Sequence, residues 1–138
     1  MSYYDDQHEN DSTMLDNIAE VADEVVGHRI IEVNRDVALP AGSSRWYYGG
    51  GRGLELVLDN GTRVYLSDTS DCCAYTELEA IIEHLPEMDH IITAVQQSDG
   101  FEKWHFIADL GEVLELQVGW SEGNPYYYGY GFDVAVTR

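Results

Sequence analysis

The sequence is short of positive charge. Seven of its 138 residues are Lys or Arg, against 26 Asp and Glu, for a formal charge of −19. Only Lys103 is a lysine. A surface of that sign repels nucleic acid and anionic lipid, so direct binding to either is not expected. It suits a basic protein partner, and it is the sign a mimic of the DNA backbone would carry. Cysteine is scarce as well: Cys72 and Cys73 are adjacent and have no second pair. That excludes a disulfide framework, and the pair lacks the two-residue spacer that lets two thiolates share a zinc ion. No apolar run approaches the ~18–20 residues that span a bilayer. The opening Met1-Ser2-Tyr3-Tyr4-Asp5-Asp6 has neither a basic nor an apolar leader segment, so the expected compartment is the cytoplasm, with reduced thiols. No glycine motif of the phosphate-loop, dinucleotide-binding or serine-nucleophile kind is present.

What is present is an alternating pattern. The hydrophobic fraction of 44% is that of a globular chain, and the length fits one domain. Residues 1–13 are polar and acidic and are expected to form a flexible tail, leaving 14–138 as the domain. Leu15, Ile18, Val21, Ala22 and Val25 recur at helical spacing, with Gly27 as a stop. Beyond it the period falls to two. Ile30-Ile31-Glu32-Val33 begins a strand, and residues 36–53 read as a flexible insert holding Trp46, Tyr47 and Tyr48. Leu54–Leu58 and Arg63–Ser67 alternate about Asp59-Asn60-Gly61, a hairpin signal in which Gly61 supplies the left-handed turn position. Thr76 to Leu85 reads as a second short helix with Leu78, Ile81, Ile82 and Leu85 inward. His90–Val95 is a strand. Trp104–Ala108 and Val113–Val118 form a second hairpin with Gly111 in its turn, and Phe132–Val136 is the last strand. The pattern predicts an α+β fold: a mostly antiparallel curved sheet or small barrel of about six or seven strands with two short helices.

A weak repeat runs through it. Leu54–Leu66 and Trp104–Leu116 align without a gap, with Leu56 on Phe106, Gly61 on Gly111, Val64 on Leu114 and Leu66 on Leu116. Each segment follows an Ile-Ile strand. Both an old duplication and independent hairpins of similar pattern fit this.

Two segments stand out as candidate sites. Tyr126, Tyr127, Tyr128 and Tyr130, interleaved with Gly129 and Gly131, offer amphipathic rings on a permissive backbone, the composition of an interaction surface. Trp46, Tyr47 and Tyr48 could add anchors to it; alternatively the rings cover one end of a sheet. Cys72 and Cys73 lie in acidic surroundings, which raise rather than lower a thiol pKa, so they read as a structural junction and not as a nucleophile. The histidines His8, His28, His84, His90 and His105 are scattered, and His105 is out of phase with Trp104 and Phe106 and so faces solvent. No catalytic residue, metal or cofactor is expected.

These marks occur together: Gly27–Ile30, the hairpin Leu54–Leu66, Asp71-Cys72-Cys73, the hairpin Trp104–Val118, and the ending Asn124–Phe132. In that combination, over about residues 25–138, the chain resembles the DUF7448-type proteins, small proteins of actinobacteria and their phages. It departs from them in the 36–53 insert and the acidic N-terminal helix. The resemblance implies a phage source and a shared fold, and carries over no catalytic residue. The expected function is therefore a non-enzymatic phage accessory protein, active in the host cytoplasm, that binds a host protein or small ligand. The alternatives are an acidic DNA mimic that blocks a DNA-binding host or defence protein, and a sponge for a nucleotide signal built on Arg45, Arg52, Arg63 and Lys103.

Overall fold

A computed structural model describes residues 2–40, 52–70, 75–84, 90–109, 111–120 and 131–138, with the side chains of the first helix described from Met14. Cys72, Cys73, Trp46, Tyr47, Tyr48, Tyr126, Tyr127, Tyr128 and Tyr130 lie outside the described residues. One helix, α1 (Ser2–Val25), precedes nine strands: β1 (Ile30–Ala38), β2 (Arg52–Leu58), β3 (Arg63–Ser67), β4 (Thr69–Ser70), β5 (Tyr75–Glu83), β6 (Ile92–Ser98), β7 (Lys103–Ala108), β8 (Gly111–Trp120) and β9 (Asp133–Thr137). All strand pairs are antiparallel, in two sheets ordered β1-β2-β3-β9 and β4-β5-β8-β7-β6. The mixed class and the antiparallel pairing are as expected. The single curved sheet or small barrel is not: among the described residues there are nine strands in two open sheets, and one helix instead of two.

The chain crosses between the sheets at Asp68, which separates β3 from β4. On the other side, a lone bridge between Arg29 and Ile91, with Gly27 N–H donating to the Ile92 carbonyl and Ile92 N–H to that of His28, ties the start of β1 to that of β6. Helix α1 packs on β6 and β9, an edge strand of each sheet. It buries Met14, Asn17, Val21 and Val25 and exposes Leu15, so the inward face is rotated from the one expected. The helix begins at Ser2 rather than near Thr13, so residues 2–13 carry helical backbone. Gly27 ends it, at φ 89°. Met14, Val21 and Val25 join Leu54, Leu56, Leu58, Val64 and Leu66 of the first sheet and Trp104, Phe106, Leu114, Leu116 and Val118 of the second in one continuous core. No helix among the described residues is long and apolar enough to cross a membrane.

The expected helix at 76–85 is strand β5. Its register against β8 slips between Leu78 and Ala80, leaving Glu79 as the extra residue of a bulge. Inward Thr76 and Leu78 are thereby followed by Ile81 instead of Ala80, and a period of two acquires one step of three that mimics a helix turn. Helix formers such as Glu77, Leu78, Glu79 and Ala80 supplied the rest of the misreading; pairing with β4 and β8 overrides their propensity. Strands β1 and β2 also extend into the supposed insert, which loses Asp36–Ala38 and Arg52-Gly53 to them.

The repeat in the sequence is a repeat in register. In β2–β3, Leu54 faces Leu66, Glu55 faces Tyr65 and Leu56 faces Val64. In β7–β8, Trp104 faces Leu116, His105 faces Glu115 and Phe106 faces Leu114. The strand before each carries the same bulge: Ile30 on Leu58 then Glu32 on Val57, and Ile92 on Ala108 then Ala94 on Ile107. Strands β1-β2-β3 and β6-β7-β8 are thus two like meanders.

Candidate functional site

The β1–β2 hairpin, the crossover at Asp68 and the bulge of β5 meet around a cleft of about 330 Å³. It is lined by Arg35, Asp36, Arg52, Gly53, Asp68 and residues Leu78–Ile81. The local backbone is shaped for it. Asp36 lies within a slip in the β1–β2 register, between Asn34 and Val37, and sits at φ 56°, a left-handed conformation uncommon for a residue with a side chain. Arg52 holds it there: Nε donates to the Asp36 carboxylate at 2.8 Å and Nη2 to the Asp36 backbone carbonyl. Gly53 lets β2 pass close to β3, since a Cβ at that position would lie 1.9 Å from the Leu66 carbonyl oxygen.

The cleft holds three carboxylates and two guanidiniums, but both guanidiniums are engaged. Besides the Arg52–Asp36 pair, Arg35 Nη2 reaches across to the other sheet and donates to the Ile81 carbonyl at 3.0 Å. Asp36 neutralises Arg52, while Arg35, bonded to a neutral carbonyl, keeps its charge, so Asp68 and Glu79 leave the cleft one negative charge in excess. Asp68 is half-buried and accepts a hydrogen bond from Leu78 N–H at 3.0 Å. Burial pushes its pKa up, Glu77 adds to this, and the Leu78 bond opposes without cancelling it. A carboxylate held in a cleft where its charge costs stability is a candidate for a functional position.

The predicted positions distribute as follows. Gly61 and Gly111 occupy left-handed turn positions at φ 88° and 118°. The first turn is a four-residue loop between Leu58 and Arg63 in which Gly61, not Asn60, is left-handed; Asn60 instead accepts Thr62 N–H on its side-chain oxygen. Of the four cations suited to phosphate, Arg52 lies in the cleft, Arg63 pairs with Glu55 at 3.1 Å and Lys103 with Asp99 at 3.4 Å, on separate elements. Arg45 lies outside the described residues. The Tyr/Gly segment rejoins the described residues at Gly131, whose carbonyl accepts from Thr69 Oγ1 at 2.6 Å and whose N–H donates to Thr76 Oγ1 at 2.7 Å. Phe132 N–H then donates to Asn17 Oδ1 at 2.6 Å. Both threonines flank Asp71–Ala74, so the two segments singled out in the sequence attach to the fold at one place.

The family model described as Domain of unknown function (DUF7448) matches residues 12–134. The chain belongs to the DUF7448 family. Its match begins inside α1, so most of the helix side that packs on the sheets belongs to the family unit. Comparison of this DUF7448 protein with curated proteins and with solved structures finds no match. Sequence reasoning does not single out Asp36 or Arg35, and it offers Asp68 only as a possible metal ligand beside Cys72 and Cys73, not as a cleft residue. The signal for Asp68 was its place between an alternating strand and the Cys-Cys loop; Asp36 and Arg35 were absorbed into, or left beside, the presumed insert.

Proposed function

We propose that this DUF7448 protein is a non-enzymatic binding protein. Its acidic surface draws in a basic protein partner, and its cleft seats a Lys or Arg side chain of that partner against Asp68 and Glu79. The observation that carries this reading is Asp68: a carboxylate whose pKa burial raises, in a cleft where three carboxylates outnumber two guanidiniums and Arg52 is already paired with Asp36. An incoming cation would supply the counter-charge, and low local dielectric would make the pairing specific. The leucine and isoleucine on the β5 wall suit the aliphatic stem of such a side chain. Tyr126, Tyr127, Tyr128 and Tyr130, with Trp46, Tyr47 and Tyr48, which lie outside the described residues, would contribute aromatic contacts to the same partner. In this reading the protein is a phage accessory protein that acts on a host protein in the cytoplasm.

The test is affinity capture from lysate of an actinobacterial host with four baits: wild type, Asp68→Asn with Glu79→Gln, Tyr127→Ala with Tyr128→Ala, and Lys103→Ala as a control away from the cleft. The proposal expects one basic protein retained by wild type and control and lost from the first variant. Equal recovery by the Asp68/Glu79 variant would remove the cleft from the interface. Equal recovery by the tyrosine variant would remove the Tyr segment.

A further inference from the structure

The outer face of the second sheet carries a second constellation, separate from the cleft. It arises from another bulge. The β7–β8 register slips between Phe106 and Ile107, so Ile107 faces Glu112 where strict alternation would oppose it to Val113. Val113 and Leu114 both turn to the core, and Glu112 and Glu115, three residues apart, emerge on the same face. There they meet His105 from β7 and His84 from the end of β5. The His84 backbone N–H is tied to the Val113 carbonyl at 3.0 Å.

Each carboxylate spends one oxygen on a hydrogen bond and turns the other toward His84, with Glu115 Oε1 also 3.9 Å from His105 Nδ1. Glu112 Oε1 accepts from His105 Nδ1, and Glu115 Oε2 accepts from Gln117 Nε2 at 3.1 Å. The carboxylate can only accept, so His105 carries its proton on Nδ1 and turns Nε2 to Ser98 Oγ at 2.7 Å. The other two oxygens converge on one imidazole nitrogen: Glu112 Oε2 lies 3.4 Å and Glu115 Oε1 3.8 Å from His84 Nε2. One ligand atom from each of the three residues lies within 4.8 Å of the others. Donors about 2.0–2.1 Å from one tetrahedral ion stand about 3.3 Å apart, so the two spacings to His84 need little closure, and a shared ion would set that between the carboxylates.

We infer that His84, Glu112 and Glu115 form a binding site for a divalent first-row transition ion of the zinc class, with water in the remaining position. The donor set decides the class. One imidazole and two carboxylates suit Zn²⁺ and its neighbours over Mg²⁺, which prefers an all-oxygen shell. His84 is 39% exposed and Glu112 27%, so solvent reaches the ion. His105 and Gln117 are positioning residues, which hold the carboxylates by the oxygens the ion does not use, as outer partners of metal ligands do. No cysteine is needed.

The test is calorimetric titration of the full chain with Zn²⁺, Co²⁺ and Mg²⁺ in a Cys72→Ser/Cys73→Ser background, which removes thiolate binding, with circular dichroism on every variant. The site predicts one saturable Zn²⁺ per chain and much weaker Mg²⁺ binding. Glu115→Gln and His84→Ala should abolish binding at this site. Gln117→Leu should weaken it about 10–100-fold without abolishing it. Co²⁺ loaded into the wild type should show ligand-field bands without the thiolate charge-transfer band in the near ultraviolet. The absence of saturable Zn²⁺ binding in the cysteine-free chain would overturn the proposal. So would Zn²⁺ binding that survives both His84→Ala and Glu115→Gln in folded protein.

Discussion

Glu55 and His105 occupy the same position in two like meanders, with opposite chemistry. Glu55 on β2 faces Asn34 and Tyr65; His105 on β7 faces Gln96 and Glu115. In the first unit an acid sits among donors, taking hydrogen bonds from Asn34 Nδ2 at 2.7 Å and Arg63 Nη1 at 3.1 Å. In the second a base sits among acids. Burial raises the Glu55 pKa, but the hydrogen bonds from Asn34, Tyr65 and Arg63 and the Arg63 charge outweigh it, and the net direction is down.

That direction sets a pH dependence. Glu55 contributes stability that is fully present above its ordinary value of 4.5 and lost as the pH falls through its lower folded value. Glu55→Gln should cost about 1–3 kcal/mol at neutral pH, the worth of charge-assisted hydrogen bonds at a buried site. Urea melts at pH 7 and pH 3 should show the difference between wild type and variant shrinking at the lower pH.

Asp68 should behave in the opposite sense. Its folded pKa is raised above 3.8, so the folded state binds the proton more tightly and stability falls as the pH rises through that window. Above the folded value the penalty is complete. Asp68→Asn keeps an acceptor for Leu78 N–H and carries no charge, so it should raise the Tm by a few degrees at pH 7, with the gain disappearing at pH 3. A variant destabilised at pH 7 would mean the carboxylate is a net stabiliser.

Two glycines should respond differently to alanine. At Gly53 the added Cβ meets the Leu66 carbonyl oxygen at 1.9 Å, so Gly53→Ala should cost about 3 kcal/mol or more, the upper end of overpacking. At Gly61 nothing lies within 4 Å and only the φ of 88° opposes the change, at about 1 kcal/mol. Gly61→Asn should be milder still, because asparagine tolerates that conformation. Chemical denaturation of the three variants checks the order.

Thr76 is fully buried, and its hydroxyl accepts from Gly131 N–H. Thr76→Val keeps the shape and leaves that donor unpaired, at about 1–3 kcal/mol. Hydrogen exchange should show the Gly131 amide losing protection, while the Phe132 amide, held by Asn17, keeps more of its own.

Much of this fold was readable in the sequence, and the bulges account for most of the strand pattern that was not. The hairpins about Gly61 and Gly111, the Gly27 stop and the strand start at Ile30 follow from turn chemistry and alternation. The bulges do not, because one unpaired residue shifts every later side chain to the other face. The bulge at Glu79 disguised β5 as a helix. The bulge beside Ile107 hid the pairing of Glu112 with Glu115, which alternation assigns to opposite faces, and with it the junction to His84. The cleft was hidden for a different reason: Arg35, Asp36, Asp68 and Ile81 are brought together only by the two-sheet arrangement.

The most direct test of the binding cleft is a ¹H–¹⁵N correlation titration of the protein with a short lysine- and arginine-containing peptide at physiological ionic strength. The proposed function predicts saturable shifts centred on the amides of Arg52, Gly53, Asp68 and residues 78–81, and their loss in Asp68→Asn with Glu79→Gln. Shifts that avoid these amides, or that persist unchanged in the variant, would contradict it.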